Sequence, residues 1–152
     1  MSHARSEYED FKRIAPDAYD LVLALGQLAA KAGLDKQLLE LVKLRASQIN
    51  GCAFCLDMHA RDARKAGESE RRLHVLPAWR ETGLFSRREQ AALAWTEALT
   101  LVTQGHAPDA DYDLARSEFS DAELVNLTLA ITTINAWNRF AIGFRKALPV
   151  EQ

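Results

Sequence analysis

Apolar residues along this chain recur at three- and four-residue intervals, and no segment alternates with period two between turn dipeptides. Pro16 sits where a first helical turn tolerates proline, and Leu21, Val22, Leu25, Leu28 and Ala29 follow at helical spacing up to Gly33. Asp35 is an N-cap for a second helix, Lys36 to Asn50, with Leu38, Leu39, Val42, Ala46 and Ile49 on its apolar face. Asn50 and Gly51 break the chain. A third helix then runs from about Cys52 to Ala66, with Gly67 at its C′ position. Ser69 to Leu76 forms a short helix stopped by Pro77, and Thr82-Gly83 makes a turn. Ser86 and Glu89 form a capping box that opens a helix to about Gln104, closed by Gly105. Pro108 begins a short helix to about Ser117. Ser120 and Glu123 form a second capping box, opening a long helix that Pro149 stops. The pattern predicts an all-α fold.

That last helix is apolar around most of its circumference, through Leu124, Val125, Leu127, Leu129, Ile131, Ile134, Trp137, Phe140 and Phe144. Such a helix is buried on more than one side, and part of the burial is expected from a second subunit. With 152 residues and no repeat, linker or low-complexity tract, the chain is expected to be one domain, its core spanning about 15–148.

Composition narrows the function. Apolar residues make up 48% and charged residues 26%, ordinary values for a globular protein. A net charge of −2 offers no basic excess for a phosphate backbone, so no nucleic acid partner is expected. The longest nearly apolar stretch, Leu21 to Ala30, is about half a bilayer span, so no membrane partner is expected either. Arg5, Glu7, Glu9, Asp10, Lys12 and Arg13 leave no room for a secretory apolar region. A cytoplasmic location is expected. In a reducing compartment the two cysteines, Cys52 and Cys55, read as redox-active or metal-binding before they read as a staple.

Cys52, Cys55 and His59 fall at i, i+3 and i+7 on the third helix, within a sector of about 60°. Cys55 and His59 are one helical turn apart, close enough to share a proton. The cysteines lie in the first turns, where free N–H groups and the helix dipole favour thiolate. Three plainer readings compete: half of a zinc site completed by His74 or His106, an inert disulfide, or two small core cysteines beside a satisfied histidine. His3, His74 and His106 have no argued role. No nucleotide-binding glycine pattern appears, and no cofactor or metal is expected.

The run from Glu40 through His59 resembles the signature of the AhpD-like alkylhydroperoxidases, within the carboxymuconolactone decarboxylase superfamily. The matched pattern is Glu40, eleven residues, Cys52, two residues, Cys55, three residues, His59. Leu73 to Leu101, with Trp79 and Trp95, and Thr133 to Arg139 also resemble members of this family. The resemblance implies a helical subunit that assembles as trimers or hexamers. It also implies a peroxidase for organic hydroperoxides, re-reduced by a dithiol such as a lipoyl-bearing protein. By resemblance Cys55 attacks peroxide, Cys52 resolves, and His59 with Glu40 relays protons. Two alternatives follow from the same family: a dithiol–disulfide carrier serving a partner peroxidase or lipoyl group, and a lactone decarboxylase. The decarboxylases lack the cysteine pair, which argues against the second. Some members carry a second histidine between the cysteines; here Ala53 and Phe54 stand there, and Phe54 is expected to wall the pocket.

Overall fold

The computed structural model describes residues 5–150. Nine α-helices are found among them: α1 (Tyr8–Ile14), α2 (Pro16–Lys31), α3 (Lys36–Asn50), α4 (Ala53–Lys65), α5 (Glu70–Val75), α6 (Arg87–Thr100), α7 (Val102–Gly105), α8 (Asp109–Glu118) and α9 (Asp121–Gly143). There is no strand among the described residues. The local signals do what their chemistry requires. Asp35 accepts from the Leu38 amide at 2.9 Å, and the capping boxes at Ser86 and Ser120 are both closed.

Helix α3 lies in the middle, packed against α4, α6 and α9. Its two flanks feed two cores. Leu38, Leu39 and Val42 join Ala92, Trp95, Leu127 and Ile131, whereas Leu41 and Leu44 join Ala63, Leu76, Trp79 and Leu93. Leu41 and Val42 are wholly buried, each contributing about 2 kcal/mol by removal from water. Polar groups fix the register: Glu97 on α6 accepts from Arg45 on α3 at 2.8 Å and from Trp79 at 2.9 Å. Trp95 donates to Thr128 on α9 at 2.9 Å.

Several expectations are corrected. The helically spaced Leu21, Leu25 and Leu28 form the expected helix α2, but they face outward, and on α2 only Ala29 is buried. The apolar circumference of α9 is mostly covered within the subunit, by α2, α3, α4, α6 and α8, leaving Val125 and Ile142 as its exposed large apolar residues. That helix also ends before Pro149. Arg145 takes a left-handed φ of 56°, and the Lys146 and Arg145 amides turn back to the Ala141 and Ile142 carbonyls at 2.8 and 3.3 Å. This closing motif usually has glycine at the left-handed position. The α6 helix stops at Thr100, since Leu101 leaves helical geometry before the short α7. The short helix does end ahead of Pro77, at Val75, and a 3₁₀ segment, kinked at Ala78, follows over Leu76–Glu81. Ahead of the expected core, α1 contributes Phe11, stacked on Phe140 with ring centroids 4.1 Å apart.

Candidate active site

The site is built where α3 hands the chain to α4. Gly51 adopts φ 70°, a left-handed conformation that costs a residue without Cβ little. Its amide turns back to the Gln48 carbonyl at 3.3 Å, and the Cys52 amide to the Ser47 carbonyl at 3.0 Å. Cys52 thus closes α3 and, as N-cap, opens α4. Its sulfur accepts the Cys55 amide at 3.3 Å, in the role a serine or aspartate oxygen usually plays. The two sulfurs are joined in a disulfide with a Cα–Cα separation of 5.3 Å. Both residues are deeply buried, 1% and 2% exposed.

The turn is held from α9 by a chain of amide side chains that the sequence reading missed. Asn138 is fully buried; it donates to the Ser47 hydroxyl at 3.0 Å and accepts from Asn50 at 2.9 Å. Asn50 also donates to Asn135 at 2.9 Å, and Asn135 to Thr100 at 3.1 Å. One signal was available. Asn135 and Asn138 stand three apart in an otherwise apolar helix, and buried amides must be paired.

Glu40, from α3, and His59, from α4, meet behind Cys55. The Glu40 Oε2 atom lies 2.9 Å from His59 Nδ1, and Oε1 accepts from Lys43 at 2.9 Å. Burial alone would raise the Glu40 carboxyl, but the His59 hydrogen bond and the Lys43 charge outweigh it and hold it below its ordinary range. An ionised carboxylate only accepts, so Nδ1 is the donor, and in the neutral imidazole Nε2 is the nitrogen that carries the lone pair. An imidazole so oriented can take a proton from a thiol or return one to a leaving oxygen. Asp62 brings a third ligand atom within 4.8 Å of Glu40 and His59. The Lys43 ammonium on Glu40 already supplies the positive charge that a cation would bring there. Among the described residues, His74 and His106 form no ligand group with the cysteines. His74 is exposed and bonds the Glu70 carbonyl at 2.7 Å, and His3 lies outside the described residues.

A cavity of about 450 Å³ reaches Cys55 and His59. Its walls are apolar and aromatic, with Tyr19, Met58, Ile134 and Trp137 among them, and Phe54 does wall it. Burial, then the neighbouring Tyr19 and Glu9, push the Tyr8 phenol up to about 12, so this wall residue stays neutral. Lys43 and Lys146 are the cationic groups of the lining.

The profile of the carboxymuconolactone decarboxylase family matches residues 16–98. The uncharacterized protein YdfG of Bacillus subtilis is 40% identical over 143 residues, covering 94% of this chain and 95% of that protein. A crystal structure from Agrobacterium tumefaciens, of a protein of unknown function proposed as the antioxidant defence protein AhpD, superposes with a TM-score of 0.89. Its sequence identity is 42%, over 93% of this chain and 97% of that one. The alkyl hydroperoxide reductase AhpD of Coxiella burnetii is 44% identical over 50 residues, 32% of this chain and 28% of that protein. With its all-helical fold and its paired cysteines, this chain belongs to the carboxymuconolactone decarboxylase family and is AhpD-like within it.

Proposed function

We propose that this protein is a cysteine-dependent peroxidase that reduces organic hydroperoxides in antioxidant defence. The observation that carries the reading is the apolar cavity ending on Cys55 and His59, with Glu40 fixing the imidazole from behind. In the reduced protein, His59 Nε2 takes the Cys55 proton. The thiolate attacks the terminal peroxide oxygen, the O–O bond breaks, and the alkoxide leaves as alcohol with the proton returned by His59. Cys55 becomes a sulfenic acid. Cys52, at the start of α4 where N–H groups steady a thiolate, displaces hydroxide from it, giving water and the disulfide. A dithiol then restores both thiols. The apolar walls favour an alkyl or aryl hydroperoxide over hydrogen peroxide, which gains nothing from them.

A sulfenic acid trap on the two single cysteine variants tests the reading. After one equivalent of cumene hydroperoxide, C52S should carry a dimedone adduct on Cys55, and C55S should carry none. Adducts on neither variant, with unchanged thiols in the reduced wild type, would end the peroxidase reading. An adduct only on Cys52 would exchange the two roles.

A further inference from the structure

The disulfide is bordered by two separate cavities, and each meets a different cysteine. The 450 Å³ cavity touches Cys55 and not Cys52. A smaller one of about 190 Å³ touches Cys52 and not Cys55. Phe54, Ala141 and Lys146 line both and so form the partition between them. Lys146 is held in that partition by an ion pair with Glu9 and lies 5.3 Å from the Phe54 ring centre. The lining of the small cavity carries two cations, Arg145 and Lys146, and no carboxylate. Arg145 is exposed, and it occupies the left-handed closing position of α9 where glycine would be unstrained. A side chain kept at such a position is a functional candidate.

We propose that the small cavity is the reductant port: an anionic low-molecular-weight dithiol enters beside Arg145 and attacks Cys52. The proposal rests on the dithiol–disulfide cycle above, and it separates that cycle into an oxidant face at Cys55 and a reductant face at Cys52. The chemistry fits both sides. The attacking thiolate bonds to Cys52 Sγ while the Cys52–Cys55 bond breaks, and Cys55 leaves with the electron pair as a thiolate that His59 can protonate. The second thiol of the reductant then attacks the mixed disulfide, closing its own disulfide and releasing Cys52. Two electrons and two protons pass to the protein. Oxidised and reduced reagents never compete for one opening, so a bound hydroperoxide does not block reduction. The volume limits the guest to a slender chain, and with Lys146 already paired to Glu9 the Arg145 guanidinium is the cation that selects one carrying negative charge.

The test starts from protein oxidised with diamide, so it needs no peroxide turnover. Three monothiols of similar size are compared at one pH: 2-mercaptoethanesulfonate, 2-mercaptoethanol and cysteamine. Reactions are quenched with N-ethylmaleimide, and the mixed disulfide is located by fragmentation of the peptide that holds both cysteines. The adduct should sit on Cys52 with maleimide on Cys55. The rate ratio of sulfonate to cysteamine should fall about threefold or more in R145N, which tolerates the left-handed conformation, and be retained in R145K. General damage to the fold would slow all three thiols alike and leave the ratio in place. A mixed disulfide on Cys55, or an unchanged ratio in R145N, overturns the proposal. Inert reduced protein in the hydroperoxide experiment would instead strike the peroxidase reading, leaving the thiol result to stand.

Discussion

Glu40 Oε2 and His59 Nδ1 stand 2.9 Å apart across the α3–α4 interface, both buried, with Lys43 on the other carboxylate oxygen. The carboxylate therefore serves two tasks: it fixes which imidazole nitrogen faces the cavity, and it stores a pH-dependent part of the stability. Glutamine at position 40 keeps an acceptor for His59 and removes the charge, so the two tasks can be separated.

The first prediction is thermodynamic. The Glu40 carboxyl is held below its ordinary value of 4.5 in the folded protein. A group depressed in this way contributes stability that is complete above the unfolded value and is lost as the pH falls through the folded one. Urea midpoints of wild type and E40Q should therefore differ by a gap that shifts against wild type as the pH drops from about 6 to about 3. Other depressed carboxyls, Glu97 and Glu123 among them, act equally on both proteins and cancel in the difference. A gap that stays constant over this range would mean that Glu40 titrates alike in folded and unfolded chains.

Proton transfer to His59 gives the second prediction. With the helix start and His59 both favouring thiolate, Cys55 should titrate below the ordinary thiol value of about 8.5. In the reduced protein, H59A should slow iodoacetamide labelling of Cys55 at neutral pH by about tenfold for each unit by which the Cys55 thiol pKa rises. At high pH, where hydroxide ionises the thiol unaided, the two proteins should react alike. Equal slowing at both pH values would assign His59 to structure and not to the proton.

Cys52, Cys55 and His59 could be placed together from their helical spacing alone, whereas Glu40, on a different helix, was reached only through the family resemblance. Capping boxes at Ser86 and Ser120 were legible because each is closed within four residues. What was not legible depends on chain segments far apart. The Asn50–Asn138 bond joins residues 88 apart and needs the register of α9 on α3. The end of α9 was misread because Arg145 takes the place that the stop rules assign to glycine. The outward turn of the α2 leucines was hidden because helical periodicity marks an apolar face without saying what covers it.

That amide chain carries the third prediction. N138A leaves the Ser47 hydroxyl without its donor and takes one acceptor from Asn50, in a position with no access to water. The cost should be about 1–3 kcal/mol of stability, read from denaturant midpoints. Because Asn50 steadies the turn that delivers Cys52, the variant should also re-form its disulfide more slowly after reduction, at equal oxidant. A stability loss without slower disulfide closure would confine Asn138 to packing.

The fourth prediction concerns assembly. Leu21, Leu25 and Leu28 are 68%, 43% and 58% exposed, and their i, i+4, i+7 spacing lines them along one stripe of α2. Covering the part of each that is still exposed would gain roughly 1–2 kcal/mol. With α9 mostly covered inside the subunit, α2 takes over as the surface on which a second copy should sit. Light scattering of the purified protein should give a multiple of the 17.0 kDa chain mass, a trimer or hexamer if the family resemblance extends to assembly. Replacing the three leucines with glutamine should shift the particle toward one chain while the helical circular dichroism stays, because none of them belongs to the core. A wild-type particle of single-chain mass at micromolar concentration would sink the idea. A triple variant that unfolds would show instead that the stripe is packed against its own chain.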